Sequence, residues 1–331
     1  MIISRTPFRI SLFGGGTDYP AWFREHGGAV LGLAIDKYCY ITLRRLPPFF
    51  EHRSRIVYSQ IELVKGVSDI RHPAVRGVLS DQGMDDGLEI HHDADLPARS
   101  GLGSSSSFTV GLLNALHALK NRMISKRDLA CEAIRIEQNV LKEQVGSQDQ
   151  IWAAYGGFNR CEFFRDGTFA VSPVILSSER HQELNRSLML FFTGFSRFAT
   201  DFAQDQVKNI PNRGSQLTTI RQMVDGAGEI LQDEKTPLRK LGELLHDSWR
   251  LKRELADSVS NTHIDEIYQA AREAGAIGGK LLGAGGGGFM VFFVEEAARD
   301  RVRERLKNLI HVSVGADNDG SKIVLYQPNG L

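Results

Sequence analysis

A glycine-serine turn runs directly into an apolar helix pattern within residues 95–120, DLPARSGLGSSSSFTVGLLNALHALK. Apolar residues recur at helical spacing from about Ser104 to Leu119, with Phe108 and Leu112 on one stripe. A helix N-terminus presents unpaired backbone N–H groups and the positive end of the helix dipole. Glycines before it let the backbone approach an anion closely, so the segment predicts a phosphate cradle suited to a nucleotide triphosphate.

The same turn also has an ordinary explanation, a flexible linker capped by serine, because serine strongly favours helix N-caps. It is not a Walker A loop, since no Gly-Lys-Ser/Thr follows. Gly101 and Gly103 would allow the close approach of an anion, and Ser104 to Ser107 would add hydroxyls for phosphate oxygens or a metal. Other site-like segments of the chain favour the cradle.

A second glycine turn lies near the N-terminus, in PFRISLFGGGTDYP. Gly14 to Gly16 would let the backbone come close to a ligand, with Arg9 before them. Asp18 would accept hydrogen bonds from sugar hydroxyls, flanked by Thr17 and Tyr19. On its own, this segment is equally typical of a tight turn with an aspartate cap.

Two carboxylates are candidates for chemistry. Asp149, in VGSQDQIWAAYGG, would orient or deprotonate a substrate hydroxyl, or would simply cap the helix that begins at Gln150. Glu137 lies on the preceding predicted helix, and its oxygens suit Mg²⁺, although most helix glutamates are merely solvated. His91 and Asp93 share one face of a predicted strand, a pattern more typical of a polar outer face than of a metal pair.

A third glycine segment, GGKLLGAGGGGFMVFF, matches GxGxxG at Gly283, Gly285 and Gly288. A dinucleotide-binding loop needs a strand before it and a helix after it, whereas here the strand-like FMVFFV follows. This excludes a Rossmann loop and a nicotinamide oxidoreductase. We expect instead a glycine hairpin that lets a second domain lie close over an active site.

Composition narrows the class further. The 331 residues carry 40 Lys and Arg against 40 Asp and Glu, so no net charge favours nucleic acid or an anionic membrane. No apolar run reaches membrane-spanning length, and the start lacks a secretory pattern. Three cysteines without a CxxC pair suit a reducing cytoplasm. Strand and helix patterns are mixed along the chain, which predicts an α+β fold, with a domain boundary in 177–187.

Taken together, PFRISLFGGGTDY, PARSGLGSSSS and KLLGAGGGGF resemble the motifs of the GHMP sugar and metabolite kinases, in the family's order. GGGTDYP, with GSQDQ, GGFN and FFTGFSR, is most similar to the branch that phosphorylates D-glycero-D-manno-heptose 7-phosphate, a branch also similar to the kinase part of bacterial fucokinases. The resemblance implies two domains, residues 1–180 like the ribosomal S5 domain 2 and residues 181–331 ferredoxin-like, with ATP and sugar in the cleft between them.

The resemblance also implies roles for individual residues. It assigns the ATP triphosphate to Pro97, Ser100, Gly101, Leu102, Gly103, Ser104, Ser105, Ser106 and Ser107. It assigns Mg²⁺ to Ser105 and Glu137, and catalysis to Asp149 with Arg9 as the cation beside it. It assigns substrate contacts to Gly15, Gly16, Thr17, Asp18, Gly285, Gly286, Gly287 and Arg197.

The implied activity is ATP- and Mg²⁺-dependent phosphorylation of the anomeric C1 hydroxyl of heptose 7-phosphate to the 1,7-bisphosphate, in nucleotide-activated heptose biosynthesis. The partner would be a small-molecule sugar, without nucleic acid or membrane, and a homodimer is allowed. A fucokinase-like kinase of an unphosphorylated sugar and a non-catalytic sugar or nucleotide sensor stay open.

Two details bear on the sugar. Galactokinases carry Glu-His where Gly15 and Gly16 stand, so galactose is not expected. A phosphate already on the sugar would need cations at its far end, for which Arg197, Lys208 and Arg213 are candidates.

Overall fold

Two β-sheets and the helices packed on them form the described part of the chain, residues 1–84, 87–194 and 208–328 of a computed structural model. The strands are β1 (Ile2–Phe13), β2 (Gly28–Arg45), β3 (Ser54–Val57), β4 (Ile61–Val64), β5 (Leu88–Ala94), β6 (Phe158–Phe163), β7 (Phe169–Pro173), β8 (Leu188–Phe192), β9 (Gly278–Leu281), β10 (Phe289–Phe293), β11 (Ile310–Val312) and β12 (Lys322–Tyr326). The α-helices are α1 (Pro20–His26), α2 (Pro73–Asp81), α3 (Ser104–Leu119), α4 (Lys126–Arg135), α5 (Gln148–Tyr155), α6 (Ser178–Ser187), α7 (Gly214–Gln232), α8 (Arg239–Arg253), α9 (Thr262–Ala274) and α10 (Arg299–Arg305).

The first sheet is organised around the 18-residue strand β2. β1 pairs with β2 along nearly its whole length, from Ile2 opposite Leu43 to Phe13 opposite Leu31. β6 pairs with Gly28–Leu33 of β2 and β5 pairs with Cys39–Arg45, so both ends of β2 have a further neighbour besides β1. The first eight residues of β2 are buried, as expected for an apolar run covered on both faces.

Helix α3 has the bounds that the sequence predicts, and it packs on β1 and β2. The helix approaches β1 closely at Gly111, where a Cβ would lie 2.9 Å from the Thr6 hydroxyl, and Ser4 donates a hydrogen bond to the Gly111 carbonyl. Phe108 and Leu112 are buried, and each such side chain contributes about 1.5–3 kcal/mol. This packing holds the front of α3 beside the middle of β1.

The second sheet has the order β11-β8-β10-β9 and is antiparallel throughout. Helix α8 lies against β9 with almost no side chain between them, because a Cβ on Gly278 would fall 2.0 Å from the Gly242 carbonyl oxygen. Phe191, Trp249 and Phe292 belong to a core on this side of the protein. The loop between β9 and β10 therefore begins at this closely packed edge of the second sheet.

The last strand returns to the first sheet, where β12 pairs antiparallel with β1 and Tyr326 lies opposite Ile2. Residues after 181 therefore contribute strands to both sheets. The mixture of strands and helices confirms the predicted mixed α/β content.

Several elements differ from the sequence prediction. The apolar pattern of residues 125–141 predicts one helix with Ser125 as its N-cap, but the α-helix changes after Arg135 to a π-helical turn, Ile136–Val140. The sequence also predicts a helix over residues 296–309, whereas the α-helix there is shorter, Arg299–Arg305, and follows a 3₁₀ turn. Helices α1, α2 and α6 were not predicted because seven to ten residues are too few for a clear apolar period. The helix expected over 197–209 falls almost wholly outside the described residues.

Candidate active site

A cavity of about 1080 Å³ opens where the front of α3, the end of β1 and the loop after β9 meet. Its walls include Arg9, Asp18, Ser105, Asp149 and Lys280. Pockets for single small ligands span roughly 300–1,000 Å³. The cavity therefore has room for two small molecules side by side, and it gathers charged groups from distant parts of the chain.

The glycine-serine loop (residues 97–103) forms one edge of this cavity. Gly101 and Gly103 have φ of +81° and +76°, a left-handed conformation that favours glycine. Ser100 donates a hydrogen bond to the Pro97 carbonyl, 2.7 Å, and tightens the turn. Leu102 is buried, and its carbonyl accepts a hydrogen bond from the backbone N–H of Arg9 on β1. The loop thus presents its backbone, and not its larger side chains, at the front of α3.

The four serines that begin α3 face different ways, because successive residues rotate by about 100° around a helix. Ser104 and Ser105 line the cavity, and Ser105 is exposed. Ser106 is buried and donates to the Glu137 carboxylate, 2.8 Å. Ser107 is buried and donates to a backbone carbonyl of β1. Two of the four hydroxyls are therefore structural, and the hydroxyl next to Glu137 belongs to Ser106, whereas Ser105 was predicted there.

Glu137 is fully buried in the π-helical turn, a feature common at functional sites. One carboxylate oxygen, Oε2, accepts from Ser106 and Gln150, while the other, Oε1, has no hydrogen-bond partner among the described residues. Burial raises the pKa of Glu137 to about 7, and the neighbouring Glu143 carboxylate acts in the same direction. An unpartnered buried oxygen of this kind needs an explanation.

Arg9 and Asp149 form a two-pronged ion pair in the cavity wall. Nε donates to Oδ1 and Nη2 donates to Oδ2, both at 2.7 Å, and Nη1 donates to the Gly101 carbonyl at 2.6 Å. Arg9 is buried, and charge-assisted pairs of this fork geometry are among the strongest hydrogen bonds in proteins. A Cβ on Gly103 would lie only 3.3 Å from Asp149 Oδ2. The predicted catalytic pair therefore lies directly against the glycine-serine loop.

Asp18 also lines the cavity, although it is almost completely buried. Its Oδ1 accepts from the N–H of Gly16, and its Oδ2 lies against Gly146, where a Cβ would be 1.8 Å away. Burial raises the pKa of Asp18, and the nearby Asp149 carboxylate raises it further. Thr17 is different: its hydroxyl contacts the backbone of Gly14 and Ala29 and ties the turn to β2. Of the residues predicted to meet a substrate here, Gly15, Gly16 and Asp18 line the cavity.

The glycine-rich loop (residues 282–288) packs on the glycine-serine loop. The N–H of Phe289 donates to the Ser100 carbonyl, and a Cβ on Gly288 would lie 2.3 Å from that same oxygen. Gly283 lines the cavity, whereas Gly285 and Gly286 lie against Val259. The glycine-rich loop therefore lies directly against the glycine-serine loop, and it lines the cavity with Gly283 and Ala284, outside the predicted range Gly285 to Gly287.

Two buried lysines in the cavity wall were missed by the sequence analysis. Lys252 Nζ donates to the carbonyls of Leu281 and Gly283, at 3.0 and 2.6 Å. Lys280 Nζ donates to the Leu12 carbonyl at 3.0 Å. Burial lowers the pKa of Lys252 to about 7, with Arg9 acting in the same direction, and burial lowers the pKa of Lys280 well below its usual value. Lys280 carried a usable signal, since it interrupts an otherwise apolar and glycine strand next to a glycine-rich segment.

An aromatic wall closes the far side of the cavity. The rings of His72 and Phe108 stack with centroids 4.9 Å apart, and Tyr58 meets His72 edge-on at 4.8 Å. Glu62 fixes this wall by accepting hydrogen bonds from the Tyr58 hydroxyl and the His72 N–H. His72 directly precedes α2, Phe108 lies on α3 and Tyr58 follows β3, so no single segment of sequence indicates the wall.

The cations predicted to anchor a sugar phosphate are placed differently. Arg197 lies outside the described residues. Lys208 is exposed, and Arg213 lines a separate small pocket; the described residues that line the large cavity include neither. Across the described ranges, His, Cys, Asp and Glu side chains do not gather in threes as a metal-binding cluster. In the same ranges, no helix combines the length and apolar character needed to cross a bilayer.

The fold and this cavity define a phosphotransferase of the GHMP kinases, and the chain belongs to that family. The GHMP kinases N terminal domain profile matches residues 63–157, and the GHMP kinases C terminal profile matches residues 234–311. The chain is 30% identical over 317 residues to D-glycero-alpha-D-manno-heptose 7-phosphate kinase of Campylobacter jejuni, which covers 92% of this chain and 93% of that protein. The predicted membership and kinase activity with an alcohol acceptor are therefore confirmed.

The chain is also similar to other sugar kinases, in sequence or in fold. It is 26% identical over 326 residues to the bifunctional fucokinase/GDP-fucose pyrophosphorylase of Arabidopsis thaliana, matching 91% of this chain and 30% of that protein. A solved D-glycero-D-manno-heptose 1-phosphate kinase from Bacteroides thetaiotaomicron superposes with a TM-score of 0.79 at 24% identity, covering 98% of both chains. Lactococcus lactis galactokinase, complexed with galactose, gives 0.73 at 18% identity, covering 97% and 94%. These two structures share the fold.

Proposed function

We propose that this kinase transfers the γ-phosphoryl group of ATP to the anomeric C1 hydroxyl of D-glycero-D-manno-heptose 7-phosphate. The observation that carries the proposal is the Asp149 carboxylate, held by Arg9 in the cavity wall against the front of α3. The identity shared with the heptose 7-phosphate kinase of C. jejuni supports the choice of sugar. Galactose stays disfavoured, because Gly15 and Gly16 supply neither an acid nor an imidazole.

Phosphoryl transfer requires mainly positioning and charge neutralisation from the protein. In the proposed complex, the backbone of residues 97–107 holds the triphosphate at the front of α3. Asp149 orients the acceptor hydroxyl or accepts its proton, and Arg9 holds the carboxylate in place through both oxygens. Asp18, with Gly15 and Gly16, contacts sugar hydroxyls. The aromatic wall of His72 and Phe108 offers a flat surface for the nucleotide base.

Mg²⁺ would act in this cavity as a cation shared with the triphosphate. It usually keeps several waters and takes one or two carboxylates together with substrate phosphates. Ser105 has an exposed hydroxyl at the cavity edge, whereas Glu137, with its unpartnered oxygen, is buried beside Ser106 and is not among the described residues that line the cavity. We propose these two residues as its protein ligands. When bound, Mg²⁺ would neutralise charge on the β- and γ-phosphates.

The two alternatives to a heptose 7-phosphate kinase are a non-catalytic sensor and a fucokinase-like kinase. A sensor that binds but does not react has no need of a carboxylate clamped by an arginine, so the Arg9–Asp149 pair argues against that class. A fucokinase-like activity on an unphosphorylated sugar is supported by the plant relative, at lower identity than the heptose kinase.

We further propose that the chain divides near residue 180 into an S5 domain 2-like part, to which β12 returns, and a ferredoxin-like part, and that it works in the cytoplasm. The three cysteines are unpaired, as suits a reducing compartment. The four-stranded second sheet with α8 and α9 supports the ferredoxin-like assignment. Assembly as a homodimer is allowed by the proposal.

A kinase assay with a sugar panel tests the function. ADP release would be followed with Mg-ATP and heptose 7-phosphate, heptose 1-phosphate, free heptose, L-fucose or galactose, and the product position read by ³¹P NMR. We expect heptose 7-phosphate to have the highest kcat/KM and to gain phosphate at C1. A higher kcat/KM with L-fucose than with heptose 7-phosphate would establish the fucokinase-like alternative. Binding of ATP or sugar without turnover of any sugar in the panel would establish the sensor.

A further inference from the structure

Lys252 and Lys280 are two ammonium groups buried in the wall of the cavity that the proposed mechanism leaves without a role. Their exposed fractions are 8% and 3%, although both line the cavity. Lys252 comes from the last turn of α8, and Lys280 comes from the middle of β9. Lysine is almost never this buried without a partner, so the pair calls for an explanation.

The partners of both ammonium groups among the described residues are backbone carbonyls. An ammonium has three donors. Lys252 uses two of them, on Leu281 and Gly283, and Lys280 uses one, on Leu12. Three N–H donors therefore remain for a ligand in a wall that faces the cavity.

The charges around the lysines are not balanced by carboxylates. Arg9 is matched by Asp149 through two hydrogen bonds. Asp18 is the carboxylate whose charge acts on both lysines, and its own ionised form is disfavoured by burial and by Asp149. Burying an ammonium without an opposite charge is costly, and the lowered pKa of each lysine expresses that cost. A dianionic ligand would restore the balance.

The two lysines also lie at the junction of the proposed substrates. Lys252 holds the carbonyl of Gly283, which lies against Gly101 on the nucleotide side. Lys280 holds the end of β1, just before the glycine turn that carries Asp18. A tetrahedral phosphoryl group, with several oxygens and two negative charges, matches both the donors and the charge.

We infer that Lys252 and Lys280 form a phosphoryl-binding subsite of this kinase. From the sequence, the candidates for binding a phosphate on the sugar are Arg197, Lys208 and Arg213. The inference rests on the proposed function for the location of nucleotide and acceptor. The phosphoryl group comes from one of two sources, the terminal phosphate of ATP or the phosphate that the acceptor sugar carries, and both share the same chemistry.

Titration calorimetry on the full chain separates these sources. Wild type, Lys252→Met and Lys280→Met would be titrated with two matched pairs, a non-hydrolysable ATP analogue against ADP, and heptose 7-phosphate against heptose. Charge-assisted hydrogen bonds are each worth enough to change a Kd about tenfold or more. In at least one pair, we expect both variants to bind the member with the additional phosphate, the ATP analogue or heptose 7-phosphate, at least about tenfold more weakly than wild type does. Binding of the other member, ADP or heptose, should stay within about threefold of wild type. Loss in the nucleotide pair identifies the transferred group; loss in the sugar pair identifies the acceptor's phosphate.

Controls keep this test independent of the sugar assignment. Lys235→Met removes an exposed lysine outside the cavity and should bind like wild type. If heptose 7-phosphate does not bind wild type, the proposed substrate fails, while the nucleotide pair and inorganic phosphate still test the subsite. Equal weakening of both members of each pair, or unchanged binding throughout, would overturn the inference.

A measurement on the wild type covers the case in which a methionine variant fails to fold. The charged groups that act on Lys252 are Arg9 and Asp18. The same two groups, together with Lys252 itself, act on Lys280. Because both lysines hold their protons weakly, capture of a phosphoryl group should draw protons from solution near pH 8. Titration in two buffers of different ionisation enthalpy measures that uptake. Proton uptake that occurs with the ATP analogue but not with ADP, or with heptose 7-phosphate but not with heptose, supports the subsite. The absence of such a difference from both pairs counts against it.

Discussion

Gly101 and Gly283 touch at the edge of the cavity, where a Cβ built on Gly283 would lie 2.5 Å from the Gly101 Cα. Arg9 donates to the carbonyl of Gly101, and Lys252 donates to the carbonyl of Gly283, each at 2.6 Å. Two glycines are thus all that separates the cation beside Asp149 from a cation on α8. Any side chain at either glycine would push the two loops apart.

Gly101→Ala should therefore cost more stability than Gly83→Ala. Both glycines have positive φ, and alanine in that conformation costs about 1–2 kcal/mol. A Cβ on Gly83 meets nothing within 4 Å, whereas one on Gly101 falls 2.3 Å from the Leu282 carbonyl oxygen. Urea unfolding of the two variants measures the difference, and equal losses would show that the contact between the loops can relax without cost.

Asp149→Asn should strongly reduce turnover while nucleotide binding persists. The amide keeps the shape of the side chain but removes the charge that Arg9 holds and the capacity to accept a proton. General-base catalysis contributes typically 10²–10⁴-fold, so we expect kcat to fall at least roughly 100-fold. Kd for a non-hydrolysable ATP analogue should stay within a few-fold. Asp300→Asn, on the exposed helix α10, is the matched control, and wild-type turnover in Asp149→Asn would remove the residue from catalysis.

Arg9→Lys should behave as a severe change despite keeping the charge. A lysine ammonium lacks the planar fork that reaches both Asp149 oxygens and the Gly101 carbonyl together. We expect kcat/KM to fall at least about tenfold. A double-mutant cycle with Asp149→Asn checks the cause, because residues acting as one unit are non-additive. Additive losses would mean that the two side chains act separately.

Ser105→Ala and Ser106→Ala should separate the cavity-facing hydroxyl from the structural one. Ser106 satisfies the buried Glu137 carboxylate, so its loss should destabilise the protein by about 1–3 kcal/mol. Ser105 is exposed, so its loss should leave stability unchanged and should raise the Mg²⁺ concentration needed for half-maximal turnover. Thermal unfolding and Mg²⁺ titration of both variants give the two readouts. The reverse pattern would assign the metal to Ser106.

Lys252→Met should change how stability depends on pH. The folded pKa of Lys252, about 7, lies below the value of about 10.4 expected in the unfolded chain. Between these values the unfolded state binds more protons, so this group makes wild-type stability rise with pH, and its cost is complete below pH 7. The stability of Lys252→Met relative to wild type should therefore be greatest near pH 7 and fall towards pH 10. Urea unfolding at each pH measures this, with Lys235→Met as the flat control; a pH-independent difference would contradict the lowered pKa.

The sequence indicates best what depends on local pattern. The apolar period predicts α3 from Ser104 to Leu119, and the glycines mark the two loops that meet at Gly101 and Gly283. It cannot tell Ser105 from Ser106, because the rotation of α3 about its axis is set by packing on β1. Lys252 and the aromatic wall are brought to the cavity by distant elements, so no spacing along the chain indicates them.

Strand β1 carries Arg9 and has the last described strand, β12, as a neighbour. Among the described strands β12 is the last to be synthesised, so β1 is made long before the neighbour that pairs with its residues Ile2–Arg5, and that part of its outer edge stays unpaired in the meantime. Such an edge is open to pairing with other chains until it is covered. A chain that stops before β12 would therefore keep this edge of the strand that carries Arg9 open to aggregation.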